Sequence, residues 1–533
     1  MNIFIAAAAA LFSVFAVAVI GYISMSAGIG PWVELIVALL ALLLSRLFCR
    51  GRHAARGAGL IAFTTVAAGI AGIAATGCGF TLPMLYFLDK NLFMSWLVSP
   101  LYFCAVVGGM VLVSGLFAFA VARLFGQVLL SDPNMPFPIG QMVARVVGAQ
   151  QSVKKSLDLI VGMGAAFLWN GVQFVSGLPR VLKLFAGKAW SYVQLPAIAV
   201  PLDQFIIFVA IGFVAGELLL IPLLVGVASR IFIAGPLHQL FFTRLSFESF
   251  QFAFGAGLVL QEAAFSFWKL PKALHAAIKG MRAHGGGGRR ISTWLASWQI
   301  FGLITIALLS AIGYFTYFGS SLLAQGYVLF FTLIWVYQLM LIGGKTGLAP
   351  VGRFATFVML PGIFLFGWTS LMTTLVSLFV SIAGGVAVDM MFGRRMAAEL
   401  GMDEREVNRY QLLGLIVASV VMGGIFWLII NHFGLGSVEL LAQKGQARAL
   451  LLSVFNFDYV VLLIGLCFGL LFHFLRINTA LVFTGLVFPV TQSLMLVTGG
   501  VFARLTRDKQ AWEPFWSGVF AAGSLWMLLR VFA

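Results

Sequence analysis

The sequence predicts an all-α polytopic membrane protein, with about 14 to 16 transmembrane helices in two pseudo-repeated bundles that include broken or re-entrant half-helices. Three observations carry this reading. Of 533 residues, 61% are hydrophobic and only 9% are charged, which leaves too little polar surface for a soluble globule. Apolar runs near the length of a bilayer crossing recur along the whole chain. Two of the gaps in that pattern hold prolines that delimit helices too short to cross.

The runs are, in order, Ile3 to Ile23, Pro31 to Leu44, Ala58 to Thr76, Leu101 to Ala122, Leu157 to Val175, Phe205 to Val227 and Phe250 to Leu260. They continue with Trp294 to Phe315, Ser321 to Ile342, Pro361 to Ile382, Leu412 to Ile430, Tyr459 to Phe472, Ala480 to Val497 and Phe515 to Leu529. Partial stretches lie at Phe80 to Leu88, Leu92 to Pro100 and Tyr192 to Val200. The first run has no positively charged flank before it and leads directly into another apolar segment, so it reads as a span and not as a secretory signal.

A net charge of +16 raises nucleic acid as a partner, but the cations sit in short connectors, where they set orientation and form no binding face. Arg46, Arg50, Arg52 and Arg56, then Lys272, Lys279, Arg282, Arg289 and Arg290, then Arg504, Arg507 and Lys509 mark three connectors expected on the cytoplasmic side, with Met1 also inside. Cys49, Cys78, Cys104 and Cys467 lack metal-ligand or paired spacing and are read as apolar packing. The run His284 to Arg290 is Gly-rich and flexible by composition. It divides the chain into an N-terminal transmembrane bundle (1–270), a basic cytoplasmic linker (271–292) and a C-terminal transmembrane bundle (293–533).

The segment GGKTGLAPVGRFATFVMLP holds the second short helix. Ten residues separate Pro350 from Pro361, about 15 Å of helix against a hydrocarbon core of ~30 Å. Pro350 suits the first turn, and Pro361 is expected to end or kink the helix. An internal echo places the first: FPIGQMVARV matches APVGRFATFV at Pro138 with Pro350, Gly140 with Gly352 and Val146 with Val358. Broken helices survive at membrane depth where protein or a wet cavity covers the freed backbone groups, as in transporter binding sites. Their N-termini expose N–H groups and about half a positive charge, which attracts carboxylates.

Expected substrate-binding residues are therefore Pro138, Gly140, Gln141, Tyr337, Gln338, Lys345, Thr346, Pro350, Gly352 and Arg353, with Trp335 and Arg145 as further cavity candidates. Lys345 and Arg353 at the second helix start, with Gln141 and Arg145 at the first, would donate to an anionic solute; the alternative is that Arg145 and Arg353 snorkel to an interface and set the register of their segments. A mid-membrane carboxylate costs ~2.5–3.5 kcal/mol on insertion scales, so acids inside spans are functional candidates. Glu217 is the most central; Asp389 and Asp458 lie nearer span ends, as do Glu34, Asp203 and Glu262. Glu217 and Asp389 are the expected proton carriers. For Asp389 the competing reading is an interfacial salt bridge to Arg394 or Arg395.

The order of motifs resembles the oligopeptide transporter superfamily, including its yellow-stripe-like metal-chelate transporters, over nearly the whole chain. The pieces are TGCGFTLPMLYFL from Thr76, MPFPIGQMVARVV from Met135, the GGKTGLAPVGRFATFVM segment, AGGVAVDMMFG from Ala383, and VFTGLVFPVTQSLMLVTGGVFARL from Val482. The chain departs from the family pattern at Gly347, Leu348 and Ala349, at Gly385 where asparagine is expected, and at Met391 where a lysine often follows the aspartate. The resemblance implies proton-coupled uptake of oligopeptides or peptide-like metal chelates by alternating access. Its compact prokaryotic members place the chain in a bacterial inner membrane. The expected partners are a small-molecule or peptide substrate, coupling protons and the lipid bilayer, with a homodimer as a possible assembly and no cofactor or metal.

Two other classes remain open. A channel would show a ring of acidic side chains or a carbonyl-rich filter, and neither is evident. A membrane enzyme acting on a lipid-linked substrate would need paired acids or histidines in aqueous loops, which offer few. No phosphate-binding glycine loop points to ATP-driven transport.

Overall fold

The protein, seen in a computed structural model, is described over residues 3–26, 54–132, 135–148, 153–175, 290–347 and 351–437, most of 181–258 and 458–531, and single positions such as Glu34 and Arg448. It is an all-α polytopic membrane protein. Eight described helices are long and apolar enough to cross a bilayer, and four shorter apolar helices accompany them. The linker at 271–289 and the residue Glu217 lie outside the described residues.

The first half contains α1 (Ile3–Ser26), α2 (Ala54–Thr81), α3 (Pro83–Leu88), α4 (Lys90–Val98), α5 (Pro100–Leu130), α6 (Pro138–Gly148), α7 (Val153–Val175), α8 (Leu202–Ala215), α9 (Leu220–Ser229) and α10 (Gly235–Phe241). The second contains α11 (Arg290–Tyr317), α12 (Leu322–Thr346), α13 (Val351–Phe366), α14 (Ser370–Leu400), α15 (Glu404–Phe433), α16 (Tyr459–Phe474), α17 (Thr479–Val487), α18 (Val490–Leu505) and α19 (Lys509–Val531). Side-chain caps fix several starts: Ser321 accepts from the Ala324 amide at 3.3 Å, Thr369 from Met372 at 3.3 Å, and Asp458 from Val460 at 2.8 Å.

Three expected spans are broken. The run Pro361 to Ile382 divides at Gly367, with φ +61°, so Pro361 lies inside α13 and the next helix starts at Ser370. The run Phe205 to Val227 divides after Gly216, with φ +74°, and Ala480 to Val497 divides at Pro489. These last two broken helices pack on each other. A methyl on Gly212 would strike the Leu496 backbone, one on Gly499 the Val209 carbonyl, one on Gly226 the Val482 carbonyl, and one on Gly485 the Leu223 carbonyl. Such backbone approach is the small-residue packing that membrane helices use where lipid supplies no hydrophobic drive. The partial stretch at Tyr192 to Val200 is no helix either: β1 (Val181–Phe185) pairs with β4 (Ile198–Pro201), and β2 (Lys188–Trp190) with β3 (Val193–Leu195).

At the centre runs α14, buried from Met372 to Ala397 apart from Arg395. Helices of both halves cover it, with α2, α5 and α6 from the first and α12, α13 and α15 from the second. Against α2 it runs antiparallel: Gly69 meets Asp389, Ile73 meets Gly385, and Gly77 meets Ile382.

Candidate functional site

Both short helices begin beside the middle of α14. Helix α6 has 11 residues and starts at Pro138, where the missing N–H removes no bond. Gly140 lies so close to α14 that an added methyl would sit 2.5 Å from the Phe392 carbonyl oxygen, and Gly148 faces Leu400, so α6 follows α14 toward its C-terminus. Helix α13 leaves in the other direction. Val351 faces Gly384 and Gly385, and the helix ends at Phe366, just before α14 begins. With 16 residues, α13 measures about 24 Å, longer than the sequence implies but still short of a crossing.

The two starts are tied together by the end of α12. Gly347, with φ +71°, caps α12 and returns its N–H to the Gly343 carbonyl at 2.8 Å. A methyl on Gly347 would come within 2.9 Å of Pro138 Cγ. One turn earlier, the Gly344 carbonyl accepts the Phe137 N–H at 2.7 Å, holding Phe137 at φ +48°. The C-terminal end of α12, through Gly344 and Gly347, therefore lies on the N-terminus of α6.

Asp389 sits 19 residues into the 31-residue α14, not near a span end as expected. Its expected salt bridge is absent among the described residues. Arg394 donates to the Ala122 carbonyl at 2.7 Å and to Asn408 Oδ1 at 3.2 Å, with Glu404 3.5 Å away, and Arg395 pairs with Glu399 at 3.2 Å. Asp389 instead lies beside Glu34 against Gly69, and both are buried. The two acids border a small crevice, with room for about one water molecule, whose other walls include Thr65, Gly140, Val143 and Phe392. Gly69 leaves room for them: its methyl would lie 2.8 Å from Asp389 Oδ2 and 3.0 Å from Glu34 Cγ.

A second polar cluster lies at the start of α13. The Arg448 guanidinium lies against Gly352 and donates to Thr81 Oγ1, which pairs with Ser381 Oγ at 3.3 Å. Arg448 is 8% exposed and has no acidic partner among the described residues. It therefore occupies the helix start that the sequence leaves open for a solute. Arg448 stands in a run with no clear membrane pattern, so the sequence gives no signal for it beyond its being an arginine.

The remaining expected residues are placed as follows. Lys345 is half-buried in the last turn of α12, where a cation complements the negative helix end. The Thr346 hydroxyl donates to the Ile342 carbonyl at 2.8 Å. Gln141 is half-buried on α6. The Tyr337 ring packs against Phe125, with ring centroids 4.9 Å apart. Gln338 is fully buried with neither amide atom bonded among the described residues, and the indole N–H of Trp335 has no partner among them either, while its ring packs on Phe354 and Phe357 of α13. Pro350 and the Arg353 side chain lie outside the described residues. Arg145 is engaged elsewhere, donating to Glu513 on α19 at 2.8 Å. The chain matches no family model, and no curated protein shows significant similarity to it.

Proposed function

We propose that the protein is a secondary active, proton-coupled transporter that imports oligopeptides or peptide-like metal chelates across a bacterial inner membrane by alternating access. The observation that supports this reading is the convergence of two helices too short to cross, one from each half of the chain, beside the middle of α14. Interrupted helices with buried polar side chains near their starts are a construction for solute sites inside a bilayer. Arg448, Thr81 and Ser381 near one start, and Glu34 and Asp389 near the other, supply donors and acceptors of opposite character about 12 Å apart along α14. A zwitterionic solute presents that pairing of charges.

The test is uptake by proteoliposomes under an imposed proton gradient, offered short peptides and iron or nickel chelates. Uptake that follows the gradient supports the reading. Conductance steps in single-channel recording, with no gradient-driven accumulation, favour a channel.

A further inference from the structure

The acids Glu34 and Asp389 are 8% and 4% exposed, and Glu34 Oε2 and Asp389 Oδ1 have no hydrogen-bond partner among the described residues. Their side chains lie side by side, both against Gly69 and both on the wall of one crevice. Two buried carboxylates this close repel each other, and with no cation beside them among the described residues one is favoured to hold a proton.

The groups packed around the pair supply no cation among the described residues. On α14, Arg394 is directed to Ala122, Asn408 and Glu404, with Arg123 of α5 near it, and Arg395 is bound to Glu399. On α6, Arg145 is bound to Glu513. On α15, Gln411 donates to the Met390 carbonyl and is uncharged. From α2, the crevice receives Thr65 and Val66.

We propose that Glu34 and Asp389 act as one proton-binding unit and carry the coupling proton of the transporter inferred above, a deepening that rests on that reading. With one shared proton the pair bears a single negative charge. A second proton, taken from water in the crevice, forms an O–H bond on the remaining carboxylate oxygen and makes the pair neutral. Breaking that bond to water on the other side restores the charge. One wall of the crevice is α6, through Gly140 and Val143.

The test is infrared difference spectroscopy of the purified full chain stepped through pH, reading the carbonyl stretch of protonated carboxyl groups. A titrating band is expected in the wild type, lost or displaced in Glu34→Gln and in Asp389→Asn, and retained in Asp458→Asn, which alters only a helix cap. A band that is unchanged in both pair variants overturns the proposal, as does one removed by sodium at constant pH. Should Asp389→Asn fail to fold by size exclusion, Glu34→Gln decides alone. Variants that lack the band yet accumulate substrate under a proton gradient remove the pair from coupling and leave transport standing. A normal band in a protein that moves no substrate removes the transport reading instead.

Discussion

Gly347 lies against the Pro138 ring, so the turn that closes α12 and the residue that opens α6 share one contact, although they come from opposite halves of the chain. Its left-handed backbone, φ +71°, and the 2.9 Å approach both require a residue without a side chain.

Gly347→Ala is therefore expected to destabilise the protein by more than the roughly 1–2 kcal/mol of left-handed strain alone. The added methyl must also push α6 away. Asn tolerates the backbone angle better but still collides with Pro138, so Gly347→Asn should also lower the thermal midpoint in detergent. A midpoint unchanged in both variants would deny the contact.

Gly69→Val is expected to impair function more than stability. A single methyl already sits 2.8 Å from Asp389 Oδ2, and two more carbons would force the two acids apart. Loss of gradient-driven uptake with a near-normal melting profile would bear this out, whereas equal loss of both would point to general packing at the α2–α14 seam.

The ion pair between Arg145 and Glu513 joins α6 to α19. Arg145 is 33% exposed and can reach water when its partner is removed, while Glu513 at 8% cannot. Arg145→Ala should therefore cost more stability than Glu513→Gln, the first leaving a buried carboxylate unpaired. The difference is expected on the order of 1 kcal/mol, reduced by solvent at the arginine end. Chemical denaturation or thermal melts in detergent would measure it, and the reverse order would contradict this account.

Much of this architecture is legible in the sequence because proline acts locally. Pro138 begins α6 as expected, since a residue that fixes φ and lacks an N–H leaves few alternatives. Pro361 obeys the same rule less strictly: packing of α13 against α14 carries the helix past it to Phe366. The breaks at Gly216 and Gly367 fall inside apolar runs where a glycine alone marks no boundary, whereas Pro489 marks its own break in the sequence. The site was half legible. Asp389 stands out as an acid in apolar sequence, but its partner Glu34 is 355 positions away and no local signal joins them. Arg394 and Arg395 are near Asp389 in sequence, yet one helical turn directs them to other partners.

Arg448 offers a test of substrate charge. A buried guanidinium beside the positive end of α13 is relieved by an arriving anion. Arg448→Ala should weaken uptake of peptides with a free C-terminal carboxylate far more than of their amidated forms. Equal loss for both would assign Arg448 to holding Thr81 and the α13 start in place.

The most direct measurement is the ratio of internal to external substrate at steady state in proteoliposomes, with and without an imposed proton gradient. The account predicts accumulation well above unity for a peptide or metal chelate when the gradient is present, collapsing to unity when an ionophore dissipates it. A ratio that settles at unity under both conditions, for every solute of these classes, would contradict it.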